Sequence, residues 1–143
     1  MDQPDFIVLA RDTFNEDGTV NIENGDKLWS ALFKLPEWNF LMTMTSFVNK
    51  SPSAQMIDGK VWYLVFTDTE KLQAYATRNQ NLDPDGKALF ITMTPEAAVR
   101  FAQGSLGTTV YGFRFNEAAE HGWFSPLENL VKFPDYLREK GLL

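Results

Sequence analysis

Hydrophobic residues along the chain switch between the spacing of strands and the spacing of helices. Largely apolar runs at residues 61–66, 89–92 and 110–115 predict three strands, and apolar residues at helical intervals follow the first two runs. A helix between two strands normally connects parallel neighbours through a right-handed crossover. We therefore predict a βαβαβ core whose three strands lie side by side and parallel in one sheet.

Both predicted helices carry start signals. Thr67 and Glu70 have the spacing of a capping box. Thr94 precedes Pro95, a pair that places a hydroxyl at the cap and proline at the first helical position. Each helix is thus predicted to begin directly after its strand, and the glycines at residues 104–107 are predicted to end the second one.

The N-terminal segment indicates a hairpin. β-Branched residues at 6–10 and 19–22 flank the pair Asp17-Gly18, which is typical of a tight turn between two strands. A short helix beginning after Pro4 is the alternative. If the hairpin forms, we expect it to extend one edge of the sheet.

The next segment predicts a helix and a further strand. Apolar residues recur at helical spacing over 27–35, where Asp26 is placed to cap the first turn and Pro36 to end the helix. Alternation that starts at Trp38 predicts a strand covered mainly on one face, at the edge of the sheet. Residues 49–59 are predicted to form a surface loop.

The C-terminal residues 123–143 have apolar side chains at near-helical intervals, interrupted by Pro126 and Pro134. They are predicted to form two short helices laid on the core. The fold class expected is α+β: one domain over residues 1–143, with a mixed sheet around the βαβαβ core, an N-terminal hairpin or helix, and short C-terminal helices.

Composition supports one domain and limits its partners. The 143 residues are 44% hydrophobic, which is enough to close a core, and a chain of this length is typical of one domain. The formal net charge of −6 disfavours contact with phosphate backbones. We therefore expect no nucleic-acid partner.

The chain contains no cysteine, which excludes disulfides, thiolate zinc sites, iron–sulfur clusters and cysteine nucleophiles. Its first residues are acidic and lack the basic region of a secretory signal. The longest wholly apolar run, residues 61–66, is far shorter than the roughly 20 residues that span a bilayer. We expect a soluble, cytoplasmic protein with no membrane partner.

Three stretches together resemble a known bacterial family. They are VWYLVFTD at 61–68 leading into an amphipathic helix, TPEAA at 94–98, and a strand that ends in Phe115-Asn116. Their order is similar to the N-terminal domain of the SseB family, named for enhanced serine sensitivity, over most of the chain from about Asp26 onward. Family members often have Asn-Pro after the last strand, whereas Glu117 follows here. The resemblance implies an intracellular bacterial α+β domain with no established catalytic residues.

Candidate catalytic and metal sites are weak. His121, the only histidine, lies four residues after Glu117, a spacing that suits a helical metal pair, but Gly122 favours a helix end instead. Ser125 lacks the pattern of a nucleophile elbow. Residues 81–86 match the head of a calcium loop, yet a plain turn is favoured because a strand follows and the twelfth position is not glutamate. We expect no metal and no cofactor.

The carboxyl ends of the predicted strands carry polar residues. Thr67, Asp68, Thr94 and Asn116 are candidates for binding a small ligand, since ligands gather at this edge of open α/β sheets. Capping of the following helices is the favoured role for these hydroxyl and carboxyl groups.

Aromatic residues provide the remaining signal, since the chain contains twelve Phe, four Trp and four Tyr. Five of them are candidates for a protein-binding patch: Trp38, Trp62, Phe124, Phe133 and Tyr136. The alternative is that they belong to the core.

The function predicted from the sequence is that of a non-enzymatic binding, adaptor or regulatory module. Its partner is expected to be another protein, basic to suit the acidic chain, or a second copy of itself. The alternative is a small-molecule sensor or enzyme with a cleft around Thr67, Asp68, Thr94 and Asn116.

Overall fold

A computed structural model describes residues 5–118 and 121–143. The helices in this part of the chain are α1 (Phe6–Thr13), α2 (Ile22–Phe33), α3 (Met44–Val48), α4 (Thr69–Arg78), α5 (Pro95–Ser105) and α6 (Leu127–Glu139). The strands are β1 (Trp38–Met42), β2 (Ala54–Ile57), β3 (Lys60–Phe66), β4 (Leu89–Met93), β5 (Val110–Phe115) and β6 (Trp123–Pro126).

The strands form one mixed sheet in the order β4-β1-β3-β5-β6, and β2 pairs with the first half of β3. β3 and β5 are parallel, as predicted, but they are direct neighbours, whereas the crossovers predicted that each would lie next to β4. β1 is antiparallel to both β3 and β4, so β4 runs in the direction of β3 but is separated from it by β1. The α+β class and the mixed sheet are confirmed, while the prediction that all three strands lie side by side is wrong.

β1 lies inside the sheet because it is buried on both faces. All five of its residues are buried, which contradicts the prediction of an edge strand covered on one face. Asn39 produced the apparent alternation, but its Nδ2 donates to the carbonyl oxygen of Phe66 at 3.1 Å. A polar side chain can thus occupy a buried position because the backbone of a neighbouring strand accepts its hydrogen bond.

The N-terminal segment is helical, so the alternative of a helix after Pro4 is the one observed for residues 6–10. The Asp5 carboxylate accepts from the backbone N–H groups of Ile7 and Val8 and thereby caps α1. The predicted turn does form after this helix, but Phe14 and Val20 pair only as an isolated bridge. The segment therefore does not extend the sheet.

Two predicted helix starts are displaced. α2 begins at Ile22 with Asn21 as its cap, so Asp26 lies within the helix instead of capping it. α4 is capped by Asp68, whose carboxylate accepts from the backbone N–H of Lys71, and not by the Thr67 capping box. The third start is confirmed, because Thr94 caps α5.

Two further segments differ from their predictions. Part of the predicted loop at 49–59 forms β2, which pairs with β3 and leaves alternate side chains exposed. The C-terminal segment forms β6 and one long helix, α6, with Pro134 inside it. Proline removes one hydrogen bond from a helix, and burial of Leu127, Leu130 and Leu137 on the core holds α6 together across that position.

The core has a layer on each face of the sheet. The larger layer packs the sheet against α1, α2, α5 and α6, and aromatic rings of Trp38, Phe113 and Phe115 lie at its centre. The smaller layer packs the sheet against α4 through residues such as Leu64 and Leu72. Helices α2 and α6 both belong to the larger layer and contact each other, so the surface between them lies on that face of the sheet.

A substitution at Gly112 tests the closeness of β5 and β6. An added Cβ would lie 2.1 Å from the Ser125 carbonyl oxygen, so we expect Gly112→Ala to lower the free energy of unfolding by about 3 kcal/mol. Gly104, in α5, has nothing within 4 Å of an added Cβ. Gly104→Ala is therefore the matched control and is expected to stabilise by about 0.5–1 kcal/mol. Urea denaturation measures both, and equal effects would contradict this account.

Candidate functional site

Two of the candidate strand-end residues lie together at the carboxyl ends of β3 and β5. Asn116 Oδ1 accepts from the Thr67 backbone N–H at 3.0 Å, and Asn116 Nδ2 donates to Thr67 Oγ1 at 3.1 Å. Both residues are buried, and Asn116 has a left-handed backbone with φ of 53°. The pair ties the ends of two parallel strands together.

The other two strand-end candidates have different positions. Asp68 caps α4 and pairs with Lys71. Thr94 follows β4, which β1 separates from β3. It lines a surface depression of about 600 Å³ together with Glu96 and Arg100. The structure therefore brings Thr67 and Asn116 together, places Asp68 next to them in the chain, and leaves Thr94 outside the group.

The metal candidates occupy turns. Asn116, Ala118 and His121 all have positive φ, which excludes the continuous helix needed for an i, i+4 ligand pair, and residues 119–120 lie outside the described chain. Asp83 Oδ1 accepts from the backbone N–H groups of Asp85 and Lys87, each at 2.9 Å, as in a plain turn. Over residues 5–118 and 121–143, no group of three or more His, Asp or Glu could hold a metal ion.

The aromatic candidates divide into buried and groove-lining residues. Trp38 and Trp62 are buried, and each indole N–H has a backbone acceptor, the carbonyl of Leu32 for Trp38 and that of Ile57 for Trp62. These two belong to the core. Phe124, Phe133 and Tyr136 instead line one surface groove.

We call this surface the aromatic groove. Its volume is about 460 Å³, and its walls are the turn between α1 and α2, the first half of α2, β6 and α6. Its main apolar lining residues are Phe14, Val20, Ile22, Trp29, Phe124 and Phe133. Three large side chains at its rim, those of Phe14, Val20 and Ile22, are 42%, 52% and 67% exposed. Phe124 borders the groove, but its ring packs on Trp62 and Arg114 on the opposite face of the sheet.

The floor of the groove is anchored in the core. The rings of Trp29 and Phe133 stack with centroids 4.2 Å apart. Trp29 also meets the buried ring of Phe115 edge-on, with centroids 5.5 Å apart. The floor is therefore held in one arrangement by contacts from α2, α6 and β5.

A polar cluster joins α2 to α6 at one end of the groove. Asp26 Oδ1 accepts from the Tyr136 hydroxyl at 2.8 Å, and Asp26 Oδ2 accepts from Lys140 Nζ at 2.9 Å. Hydrogen bonding with Tyr136 and then with Asp26 raises the pKa of Lys140. Asp26, which the sequence predicted as a cap, thus has the different role of linking two helices.

The turn that forms one wall of the groove is acidic, and three of its carboxylates pair with cations: Asp12 with Arg11, Glu23 with Lys27 and Asp26 with Lys140. The segment from residue 12 to residue 26 contains five carboxylates and no Lys or Arg. The Glu23 side chain is 84% exposed, and hydrogen bonds from the Thr19 hydroxyl and backbone N–H lower the pKa of Asp17. The opposite wall, on α6, includes Lys132. Asp26 and Lys132 are the charged residues that line the groove itself, and the excess negative charge lies on the adjoining α1–α2 turn.

Sequence reasoning missed four of the groove residues. Val20 and Ile22 fall in the predicted hairpin and Trp29 in the predicted helix over 27–35, and no prediction concerns Phe14. The signal that could have found them is the run of large apolar residues among carboxylates between residues 14 and 22. These residues lie close to α6 because residues more than a hundred positions apart in the chain are in contact, such as Asp26 and Tyr136.

No model of a known protein family matches the chain, and a search of curated proteins found no match. The resemblance to the SseB family therefore stays a prediction from the residues. Among the described residues, no helix has the length and apolar character needed to cross a bilayer.

Replacing Asn116 tests whether the strand-end pair is structural. Asn116→Ala is expected to lower the free energy of unfolding by about 3 kcal/mol, because it removes two buried hydrogen bonds and retains the left-handed backbone. Asn116→Gly is expected to lower the free energy of unfolding by about 1 kcal/mol less than Asn116→Ala does, because glycine adopts a positive φ without steric strain. Thr94→Ala, which removes only a helix cap, should cost about 1 kcal/mol. A fully stable Asn116→Ala variant would contradict the structural role.

The cluster at Lys140 predicts a pH dependence. The pKa of Lys140 is raised in the folded state above its ordinary value of 10.5, so its contribution to stability is complete below that pH and is lost as the pH rises further. We expect Lys140→Met to lower the melting temperature at pH 8 and the difference from the unmodified chain to shrink above pH 10.5. Thermal denaturation followed by circular dichroism measures this, and a difference that grows with pH would refute it.

Proposed function

We propose that this protein is a non-enzymatic protein-binding module whose aromatic groove receives an apolar segment of a basic partner. The observation that carries the proposal is the group of three large apolar side chains, those of Phe14, Val20 and Ile22, which are 42% to 67% exposed beside a cavity of about 460 Å³. Exposed apolar residues that converge in this way are typical of interaction sites. The groove would contribute aromatic anchors, which dominate the energetics of such interfaces.

The shape of the groove suits a short segment of a protein. A cavity between two helices and an edge strand can hold one or two side chains of a peptide. Here those side chains would pack on a concave and largely apolar floor. Trp29 and Phe133 supply a stacked floor that is already ordered. A preformed floor lowers the entropic cost of binding, since fewer side chains must be immobilised.

Charge favours a basic partner. The acidic wall from residue 12 to residue 26 adjoins the groove, and the whole chain has a net charge of −6. Lys or Arg residues next to the apolar anchor of a partner would lie against this wall, and opposite potentials would speed association.

The groove supports this proposal better than the strand ends support a ligand cleft. Thr67 and Asn116 are buried and bond to each other, whereas Asp68 and Thr94 cap helices. A regulatory or adaptor role is part of the proposal and rests on the sequence alone, and a bacterial cytoplasmic location is what the resemblance to the SseB family implies.

Selection from a random peptide library displayed on phage tests the proposal directly. The immobilised full chain is expected to enrich peptides that contain a large apolar residue flanked by Lys or Arg. Synthetic versions of the enriched peptides should bind Ile22→Ser at least about ten-fold more weakly, because that side chain is 67% exposed at the rim of the groove. Glu23→Lys should also weaken the binding of these peptides, because it reverses a charge on the acidic wall.

Met56 provides a matched control for these variants. It is 74% exposed on β2, which does not line the groove, so Met56→Ser should bind the peptides as the unmodified chain does. Enriched peptides without basic residues would contradict the charge argument. Peptides that bind Ile22→Ser as tightly as the unmodified chain would show that the groove is not their site.

A further inference from the structure

Helix α3 carries a second group of exposed apolar side chains. Met44, Phe47 and Val48 are 52%, 53% and 77% exposed, and α3 has no buried residue. Thr43 and Ser46 form a capping box at its start, in which each side-chain oxygen accepts from the backbone N–H of the other residue. The helix is therefore an ordered apolar projection from the surface of the molecule.

The segment that contains α3 is nearly free of charge. Lys50, two residues after the helix ends, is the only charged residue in the stretch 38–57. It is exposed, and the ion pairs within residues 5–118 and 121–143 all involve other cations. α3 and Lys50 thus combine large apolar side chains with a positive charge that has no carboxylate partner. This is the chemistry that the aromatic groove favours.

The groove and its acidic wall have the complementary features. The groove is a concave, largely apolar surface of about 460 Å³ with exposed side chains at its rim. Three carboxylates of the acidic wall pair with cations, whereas Glu16 and Asp17 form no ion pair with any described residue. An apolar projection beside an unpaired cation therefore matches an apolar groove beside two carboxylates in shape, polarity and charge.

We propose that the aromatic groove of one copy of this chain binds α3 of a second copy. Phe47 enters the groove, and Lys50 lies against Glu16 and Asp17 of the acidic wall. The inference rests on the proposed function, because it names a second copy as the occupant that regulates the same groove. One chain cannot make this contact with itself, since α3 contacts β1 and β4 whereas the groove lies beside β6 at the other end of the sheet.

The contact is head-to-tail, because the two copies use different surfaces. Each pair of copies retains one open groove and one open α3, so further copies can add. One turn of helix in one groove buries a small area, and the association is therefore weak, as in transient interfaces. A partner segment must displace α3 from the groove, so self-association lowers access to the site at high protein concentration.

Mixing two variants tests the head-to-tail contact. Phe47→Ser removes the anchor on α3 and keeps the groove, whereas Ile22→Ser damages the groove and keeps α3. Both side chains are more than half exposed, so both variants are expected to fold. By sedimentation velocity each variant alone should be monomeric where the unmodified chain associates. An equimolar mixture should form a 1:1 dimer that grows no further, because its remaining groove and α3 are both defective. A mixture that stays monomeric would overturn the proposal.

Charge reversal tests the role of Lys50. Lys50→Glu should raise the dissociation constant for self-association about five-fold. Lys34→Glu, an equal change of charge outside α3 and the groove lining, is the control and should leave that constant unchanged. An equal effect of the two variants, or an unmodified chain that stays monomeric up to about 1 mM, would overturn the proposal.

Peptide binding separates this inference from the proposed function. Phe47→Ser has an intact groove that no α3 occupies, so it should bind the peptides selected from the library at least as tightly as the unmodified chain does. Those peptides should also dissociate the assemblies of the unmodified chain. Peptide binding at the groove without self-association would overturn this inference alone. Loss of both would also contradict the proposed function.

Discussion

Burial of β1 on both faces is the constraint on which the rest of the structure depends. Trp38–Met42 is buried along its whole length and pairs antiparallel with a strand on each side. It therefore separates β4 from β3 and makes β4 the end of the sheet. Asn39 can occupy this position because its amide bonds to the backbone of β3. Hydrophobic burial, with one hydrogen bond to satisfy a polar group, thus sets the strand order.

The two ends of the sheet present different surfaces. At β6, helices α2 and α6 enclose an aromatic floor, and Asp26 links them through Tyr136 and Lys140. At β4 the sheet ends, and residues 88–94 include no charged residue. The proposed binding site follows from this difference, because a groove can receive side chains of a partner.

Several local features were predictable because their causes lie within a few residues. Thr94 and Pro95 begin α5 as expected, because the cap hydroxyl and the proline are adjacent in the chain. The starts of α2 and α4 were displaced because more than one nearby polar residue could cap them, and Asn21 and Asp68 do so. Of the nine candidate site residues, three line the aromatic groove, four are buried and two cap helices. Which of them is buried depends on the strands and helices that pack against it.

The sequence by itself determined the α+β class, the acidic charge, the absence of cysteine and the strand–helix order of the middle of the chain, because these depend on composition and local periodicity. Only the tertiary structure decided that β1 separates β4 from β3, that Asp26 meets Tyr136, and that residues of the α1–α2 turn share a groove with α6. These contacts join segments far apart in the chain, and no local pattern specifies which buried surfaces pair. The physical reason is that apolar burial is non-directional, so the choice among partners is made by the packing of the whole core.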